Sequence, residues 1–190
     1  MITDRKPRKK ALLTDFIKSD ESRVLEVPHD DRLTVVSSSL EAALKAGAIS
    51  PVRLLCEKFL GSAAEFYKVD RTPIRVLAAR PVRSREGDWG YELFGDYDPE
   101  TALIRVWMRT AVLKKVTSYG TFLSTLCHEF CHHLDYKLFG YCDTWHTRGF
   151  YERAAALYHH ARGTPAKRLF WIEISNGRWR IDWQRTSRGG

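Results

Sequence analysis

Apolar residues recur with helical spacing in several stretches of the chain, each bounded by residues that start or stop helices. Ser38-Ser39-Leu40-Glu41 is a capping-box pattern, and it predicts a short helix that ends near Gly47. Ser50-Pro51 predicts the start of a second helix, because serine caps helices and proline suits their first turn. The helices after the first are expected at about 50–68, 119–139 and 147–162.

Shorter runs of β-favouring residues lie between and after these helices. Residues 73–80 predict one strand, and residues 90–108 predict a strand, a turn at 95–100 and a second strand at 102–108. Asn176-Gly177 is the preferred turn of a two-residue hairpin, which we expect over 169–184. Pairing outward from this turn sets six apolar residues on one face: Ile174 opposite Trp179, Ile172 opposite Ile181, and Phe170 opposite Trp183. Trp171 falls on the other face and is expected to be exposed.

Together these elements predict an α+β fold with a small mixed or antiparallel sheet and a C-terminal β-hairpin. The chain has 190 residues, 44% of them hydrophobic, which is enough to bury a core without disulfides. We expect one domain at 38–190, hairpin included. Residues 1–37 are expected to form a flexible arm, whose basic residues cluster around Pro7: Arg5, Lys6, Arg8, Lys9 and Lys10.

The formal net charge of +8 makes nucleic acid or another polyanion a candidate partner. The four cysteines form no C-x-x-C pair, which argues against a zinc ribbon, and reduced thiols suit a cytoplasmic protein that could associate with the nucleoid. We expect neither a membrane span nor a signal peptide, because no apolar run is long enough for the first and the basic N-terminal residues lack the apolar segment of the second. The oligomeric state is not readable from these features.

His128-Glu129-Phe130-Cys131-His132 is an H-E-x-x-H motif on a predicted helix. Residues four apart differ by only about 40° around a helix axis, so both imidazoles can reach one divalent ion. Glu129 lies at the rim of the same face, where it can take a proton from a water that the ion activates. Apolar neighbours on both sides of the motif argue against a solvated helix face. The motif therefore predicts a Zn²⁺ site with Glu129 as the catalytic base.

A catalytic zinc takes three protein ligands and keeps one position for water. His146 is the first candidate for the third ligand, because it follows a turn that could fold it back onto the first pair. Glu152 and Asp143 are the alternatives.

Other residues near the motif are candidates for supporting roles. Asp135 lies three residues after His132 on the same face, where it could accept the outer N–H of a ligand imidazole. His133 points about 140° away from His128 and is not expected to be a ligand. Two thiols beside the histidine pair are expected to be small buried side chains, Cys127 and Cys131. Three residues are candidates for stabilising an oxyanion, Tyr141, Arg148 and Tyr151.

The motif, followed by about a dozen residues that include Gly140 and then by His146-Thr147-Arg148-Gly149-Phe150, resembles the SprT-like zinc metallopeptidases. The lead-in Gly95-Asp96-Tyr97 and Ile104-Arg105-Val106-Trp107 is also similar to that family, and the resemblance covers roughly 50–162. It implies a minimal zincin-like core of the gluzincin type. It also implies three histidine ligands with a glutamate base, at His128, His132, His146 and Glu129.

The resemblance further implies DNA-linked proteolysis, since the family's eukaryotic members cleave proteins crosslinked to DNA. The chain departs from the family in two places. Thr147 and Arg148 separate the third histidine from the glycine that directly follows it in the family, and the aromatic hairpin stands where the family commonly has a zinc ribbon.

The sequence thus predicts a zinc metallopeptidase that acts on a protein or peptide substrate. A variant of this hypothesis is a regulatory protein with a narrow peptidase activity against one partner. An extended peptide is expected to pair with the strand at 102–108. The alternative is a nucleic-acid-binding protein with a structural metal site. That alternative rests on the basic arm, on Arg178-Trp179-Arg180 and on Trp171, which could stack a base.

Overall fold

The computed structural model describes residues 1–83 and 91–189 and has the α+β fold expected from the sequence. Its helices are α1 (Lys10–Glu21), α2 (Arg32–Ala46), α3 (Ile49–Tyr67), α4 (Tyr119–Lys137), α5 (Arg148–Arg162) and α6 (Trp183–Arg188). Its strands are β1 (Ile74–Ala79), β2 (Val82–Arg83), β3 (Tyr91–Glu92), β4 (Gly95–Asp98), β5 (Leu103–Arg109), β6 (Trp171–Ile174) and β7 (Arg178–Ile181). Among the helices described, none is long and apolar enough to cross a membrane.

The main sheet is small and mixed, with the strand order β1-β5-β4. Strand β5 runs parallel to β1 and antiparallel to β4, so both of its edges are already paired. The prediction that residues 102–108 accept an extended peptide is therefore wrong, and among the described residues β1 and β4 form the two edges of this sheet. Gly95–Asp98 is a strand rather than part of the predicted turn, which lies at 99–102 instead. The strand that was predicted before this turn begins at Gly90, which lies outside the described residues.

The core lies between the sheet and the helices that cover it. Helix α3 packs against β1 and α2, and α4 packs against β4, β5 and α5. Strand β5 buries alternate side chains fully, as at Ile104, Val106 and Met108, because successive residues of a strand point to opposite faces. Helix α4 buries Leu126 and Phe130 in the same core. The helix that carries the H-E-x-x-H motif is thus fixed on several sides.

Residues 1–37 differ from the flexible arm that the sequence predicted. They contain α1 and the start of α2, and the domain boundary expected at residue 38 falls inside α2. Helix α1 packs against α5 and buries Phe16, and the Thr3 N–H donates to Trp179 O at 2.8 Å. These contacts reach residues far along the chain, and local sequence patterns do not reveal such contacts.

The first two predicted helix starts also differ from the structure. Helix α2 begins at Arg32, six residues before the predicted cap. Ser38 and Ser39 lie inside it and donate their hydroxyls back to the carbonyls of Thr34 and Val35. Serine side chains satisfy the backbone in this way within helices as well as at their starts, so the capping box was misleading. The N-cap of α3 is Ala48, two residues before the predicted cap Ser50.

The C-terminal hairpin exists, but its register is shifted by one residue. Its loop contains three residues, Ser175–Gly177, with Asn176 at φ 65° and Gly177 at φ 66°. Trp171 consequently pairs with Ile181, where the two-residue turn predicted Ile172. A slip of one residue exchanges the two faces of a hairpin. The predicted exposure of Trp171 is therefore wrong: the ring is half-buried against the core.

Candidate metal centre

Two helix starts and a turn position the three candidate ligand residues. Ser118 caps α4 by accepting the Thr121 N–H at 3.2 Å, and Thr147 caps α5 by accepting the Phe150 N–H at 3.0 Å. Gly140, at φ 66°, follows the end of α4 in a left-handed conformation that glycine adopts without strain. The chain then returns so that the residue before the α5 cap, His146, faces the motif.

Three imidazoles converge on one point. His128 Nε2 lies 3.0 Å from His146 Nε2 and 3.2 Å from His132 Nε2, and one nitrogen from each ring lies within 4.8 Å of the other two. Imidazole nitrogens bound to a tetrahedral zinc ion lie about 3.3 Å apart, given Zn–N distances of about 2.0–2.1 Å. The measured spacings fit such an ion, so these three histidines could hold a metal ion.

The protonation state of two of these rings suits metal binding. Burial and the neighbouring His146 lower the pKa of His128 to about 3. Burial, followed by the positive charges that His128 and His146 would carry, lowers the pKa of His132 well below its usual value. Both rings are therefore neutral at physiological pH, and neutral imidazole is the form that binds metals.

The outer nitrogen of His132 is held by a short relay. His132 Nδ1 lies 2.6 Å from Thr144 Oγ1, and the same hydroxyl donates to Asp135 Oδ2 at 3.1 Å. A threonine hydroxyl has one proton, so Thr144 must accept from Nδ1–H of His132. This leaves Nε2 bare and directed at the other histidines. Asp135 is fully buried and also accepts a hydrogen bond from Arg153 at 2.7 Å. It is linked to the His132 ring through Thr144, whereas the sequence predicted a direct hydrogen bond to the ring.

The outer nitrogen of His146 is held by a residue that the sequence did not single out. Asp4 Oδ2 lies 3.3 Å from His146 Nδ1 and accepts the backbone N–H of His146 at 2.9 Å. Burial raises the pKa of Asp4, but the hydrogen bonds from His146 outweigh it and hold the pKa below its usual value. Asp4 lies 142 residues from its partner, in the segment expected to be flexible, and no local pattern marks it.

Glu129 lies against the backbone of β4. A Cβ atom at Gly95 would lie only 2.8 Å from Glu129 Oε1 and 2.6 Å from Thr125 Cγ2, so glycine permits the close approach. Burial, followed by the charge of Asp96, raises the pKa of Glu129 to about 8. A cation at the three histidines would oppose this shift, because positive charge favours the ionised carboxylate. This carboxyl group can thus exchange a proton near neutral pH.

The alternatives for the third ligand point elsewhere. Glu152 Oε1 accepts from Trp171 Nε1 at 2.9 Å and from Arg23 at 3.3 Å. Asp143 accepts the backbone N–H of Thr144 at 2.8 Å. Neither belongs to the cluster of potential ligands found in the described residues.

The three candidates for oxyanion stabilisation lie in different surroundings. The Tyr141 hydroxyl donates to Ser22, the residue that follows α1, and Arg148 is paired with Asp20. In the described part of the chain, no hydrogen bond or ring contact joins either residue to the three imidazoles. The Tyr151 ring stacks on His146 with centroids 5.7 Å apart, while its hydroxyl donates to Ile2 O at 3.2 Å.

The residues expected to be structural are placed as predicted. His133 is fully buried and turned away from the ligand set, with its ring nitrogens 2.8 Å from Asp70 O and 3.1 Å from the Tyr97 hydroxyl. Cys127 and Cys131 are buried as free thiols. Burial raises the pKa of both thiols, which keeps them protonated.

Comparison of the chain with protein-family models, with curated proteins and with solved structures found no match.

Proposed function

We propose that the protein is a zinc-dependent peptidase in which His128, His132 and His146 hold the ion and Glu129 is the general base. The observation that carries this proposal is the convergence of three imidazole nitrogens on the helix face that also presents a buried glutamate. Three imidazoles with a fourth position left for a water are a ligand set that catalytic zinc uses. The resemblance of the motif and its flanking residues to the SprT-like metallopeptidases supports the same assignment.

The chain's own groups divide the chemistry between them. Zinc, when bound, supplies Lewis acidity, which lowers the pKa of a water and polarises a carbonyl. Glu129 takes the proton from that water and later delivers it to the leaving amine. Thr144 and Asp4 keep the metal-facing nitrogens of His132 and His146 bare by accepting from the other ring nitrogen. The stacked Tyr151 ring covers one side of the ligand set.

The edge strand β4 is the natural place for an extended peptide. It is antiparallel to β5, packs against α4, and begins at Gly95, beside the Glu129 carboxylate. A substrate that adds to a sheet edge bonds through its backbone, which brings the scissile carbonyl close to the base. A peptide with one methylated backbone nitrogen should therefore be cleaved more slowly when the methyl group is at every second position along the peptide, and not when it is at the positions between. A uniform effect at every position would exclude strand addition.

The decisive experiment combines metal content with hydrolysis. Glu129→Gln should retain zinc and lose activity by about 10²–10⁴-fold, because it removes the proton acceptor and no ligand. His128→Ala should lose both. His29→Ala, at an exposed histidine, is the matched control and should lose neither. Hydrolysis by zinc-loaded Glu129→Gln at the wild-type rate would refute the role of Glu129 as the base, and a zinc-loaded wild type that hydrolyses no peptide would refute the peptidase proposal.

A nucleic-acid partner is a second candidate function, favoured by one feature. The basic residues before and at the start of α1 are exposed, and none of them forms an ion pair within the described residues: Arg5, Lys6, Arg8, Lys9 and Lys10. They follow directly on Asp4, which bonds to His146, so a bound phosphate backbone would pass close to the metal centre. Such a surface suits DNA-associated protein substrates.

Charge reversal tests this surface. Replacing Lys6, Lys9 and Lys10 together by glutamate should weaken DNA binding more than tenfold and reduce its salt dependence. The matched control replaces three exposed lysines elsewhere, Lys45, Lys58 and Lys68, and has the same net charge. Equal losses in the two triple variants would show that only total charge matters. DNA binding together with an inactive wild type would favour the binding protein with a structural metal site.

A further inference from the structure

A cavity of about 460 Å³ opens beside the metal centre, between α5 and the segment that includes β7 and α6. His128 is one of the residues that line it, so the cavity reaches one of the three histidines. Ala154 and Ala155 of α5 line one wall, and their small side chains leave the space open. Leu169 and Ile181 line it on the side of the C-terminal segment. The walls near the metal centre are thus largely apolar.

The outer end of the cavity is positively charged. Arg162, Lys167 and His159 line it, whereas no aspartate or glutamate is among the described residues that line it. Neither Arg162 nor Lys167 forms an ion pair with a carboxylate of the described chain. Burial, followed by the charges of Lys167 and Arg162, lowers the pKa of His159, as expected where positive charge is uncompensated.

The length of the cavity sets the length of its occupant. Tyr151, whose ring centroid lies 6.2 Å from that of His128, precedes Arg162 by three helical turns, or about 16 Å along the axis. The Arg162 guanidinium reaches back to the Tyr158 hydroxyl, which shortens the distance. An extended peptide advances about 3.3 Å per residue, so about three or four residues span from the metal centre to the cationic end.

We propose that this cavity binds a short apolar peptide segment that ends in a carboxylate, with its side chains against Ala154 and Ala155 and the carboxylate at Arg162 and Lys167. The inference rests on the proposed peptidase function and names its substrate class. The carboxylate is either an acidic side chain or a free C-terminus, since both present the same group to the two cations.

Binding to zinc-loaded Glu129→Gln, measured by calorimetry, tests the cavity without hydrolysis. The probes are apolar peptides of about four to seven residues, each made as the free acid, as the C-terminal amide, and as an amide with glutamate in the last position. We expect the free acid, the glutamate-containing amide, or both to bind about tenfold more tightly than the plain amide. The probe that binds more tightly than the plain amide identifies the source of the carboxylate. If neither probe binds more tightly, the proposal is overturned.

Variants assign the gain to the cavity. Lys167→Ala should remove it, whereas Arg168→Ala, at the exposed neighbour outside the lining, should keep it. Ala154→Leu should weaken all the peptides about tenfold through lost volume, with zinc content unchanged. Equal effects of Lys167→Ala and Arg168→Ala would overturn the proposal. Selective binding by a wild type that never cleaves would refute the peptidase alone, and cleavage without carboxylate selectivity would refute the cavity alone.

Discussion

The position of the ring proton determines which nitrogen of His132 and of His146 faces the other imidazoles. His132 donates from Nδ1 to a neutral hydroxyl, Thr144, while His146 donates from Nδ1 to a carboxylate, Asp4. Both arrangements fix the tautomer with Nε2 bare, but only the carboxylate adds negative charge behind the ring and makes it a stronger donor to a cation. The two supports therefore contribute differently to the affinity for an ion.

Asp4→Ala should weaken zinc binding about 10- to 100-fold, because it removes the acceptor that orients His146 and keeps its proton on Nδ1. Competition with a chromogenic chelator measures the change. Asp30→Ala, at a carboxylate bonded to Arg32 on the surface, is the control and should bind zinc as the wild type does. Unchanged affinity in Asp4→Ala would mean that the contact does not support the metal centre.

Gly95→Ala should reduce hydrolysis by about 10²-fold while leaving zinc in place. A Cβ atom there would meet Glu129 and Thr125 at less than 3.0 Å, so the base must move, and a displacement of about 1 Å has a cost of this size. Gly61→Ala is the matched control in α3, where a Cβ meets nothing within 4 Å. It should stabilise the protein by about 0.5–1 kcal/mol and retain activity. Full activity in Gly95→Ala would show that Glu129 tolerates displacement.

At the level of elements, α1 holds the start of α5. Asp20 accepts from the side chain and the backbone N–H of Arg148, and Ser19 bonds to the helix cap Thr147 at 2.9 Å. A Cβ atom at Gly149 would lie 2.0 Å from Ser19 O, so only glycine allows the two helices to approach this closely. Because His146 directly precedes the α5 cap, the docking of α1 also sets the position of this histidine.

The pair of Asp20 and Arg148 should make the protein sensitive to acid. Burial raises the pKa of Asp20, but the hydrogen bonds and charge of Arg148 outweigh it, so the pKa lies below its ordinary value of 3.8. The stabilisation is present above that value and is lost as the pH falls through the lower pKa of the folded state. Asp20→Asn should therefore cost about 1–3 kcal/mol at neutral pH and much less near about pH 3. Urea unfolding at both pH values measures this, and an equal cost at both would contradict it.

Elements set by local residues were predictable, and elements set by distant contacts were not. The sequence placed α4, α5 and β5 within one or two residues, because caps, periodicity and glycines act locally. The hairpin register was missed because Asn176 and Gly177 both occur in two- and three-residue loops. Helix α1 was missed because its stability depends on α5, more than a hundred residues away.

The residues of the candidate site likewise include some that local spacing predicts and others that only distant contacts bring together. The spacing of His128 and His132 follows from helix geometry, and His146 followed from the turn before α5. Thr144 was not singled out, since a threonine in a loop carries no mark of its partner. Asp4 was not identified because only the folded chain brings it to the third histidine.

At the level of the whole molecule, the three histidines join α4 to the loop that precedes α5, in a region that both helices and β4 enclose. An ion bound there would add a bond between α4 and that loop to the contacts that they already make. Ligands that bind only the folded state stabilise it by mass action.

Removal of zinc should therefore lower the Tm. A free zinc concentration about 100 times the Kd corresponds to about 2.7 kcal/mol of stability. Scanning calorimetry with and without a chelator measures the difference. His146→Ala, which deletes one ligand, should show a much smaller effect of the chelator. A Tm independent of chelator in the wild type would contradict metal binding at this centre.

The separation of Asp4 from its partner has a kinetic consequence. The three histidines lie within 19 residues of one another, and closing so short a loop costs little entropy, whereas the contact of Asp4 with His146 spans 142 residues. Local contacts form earlier than distant ones during folding. We expect the three imidazoles of a refolding chain to come together first. The chain should reach its full affinity for the ion only in the last phase, when the N-terminal segment packs beside β7.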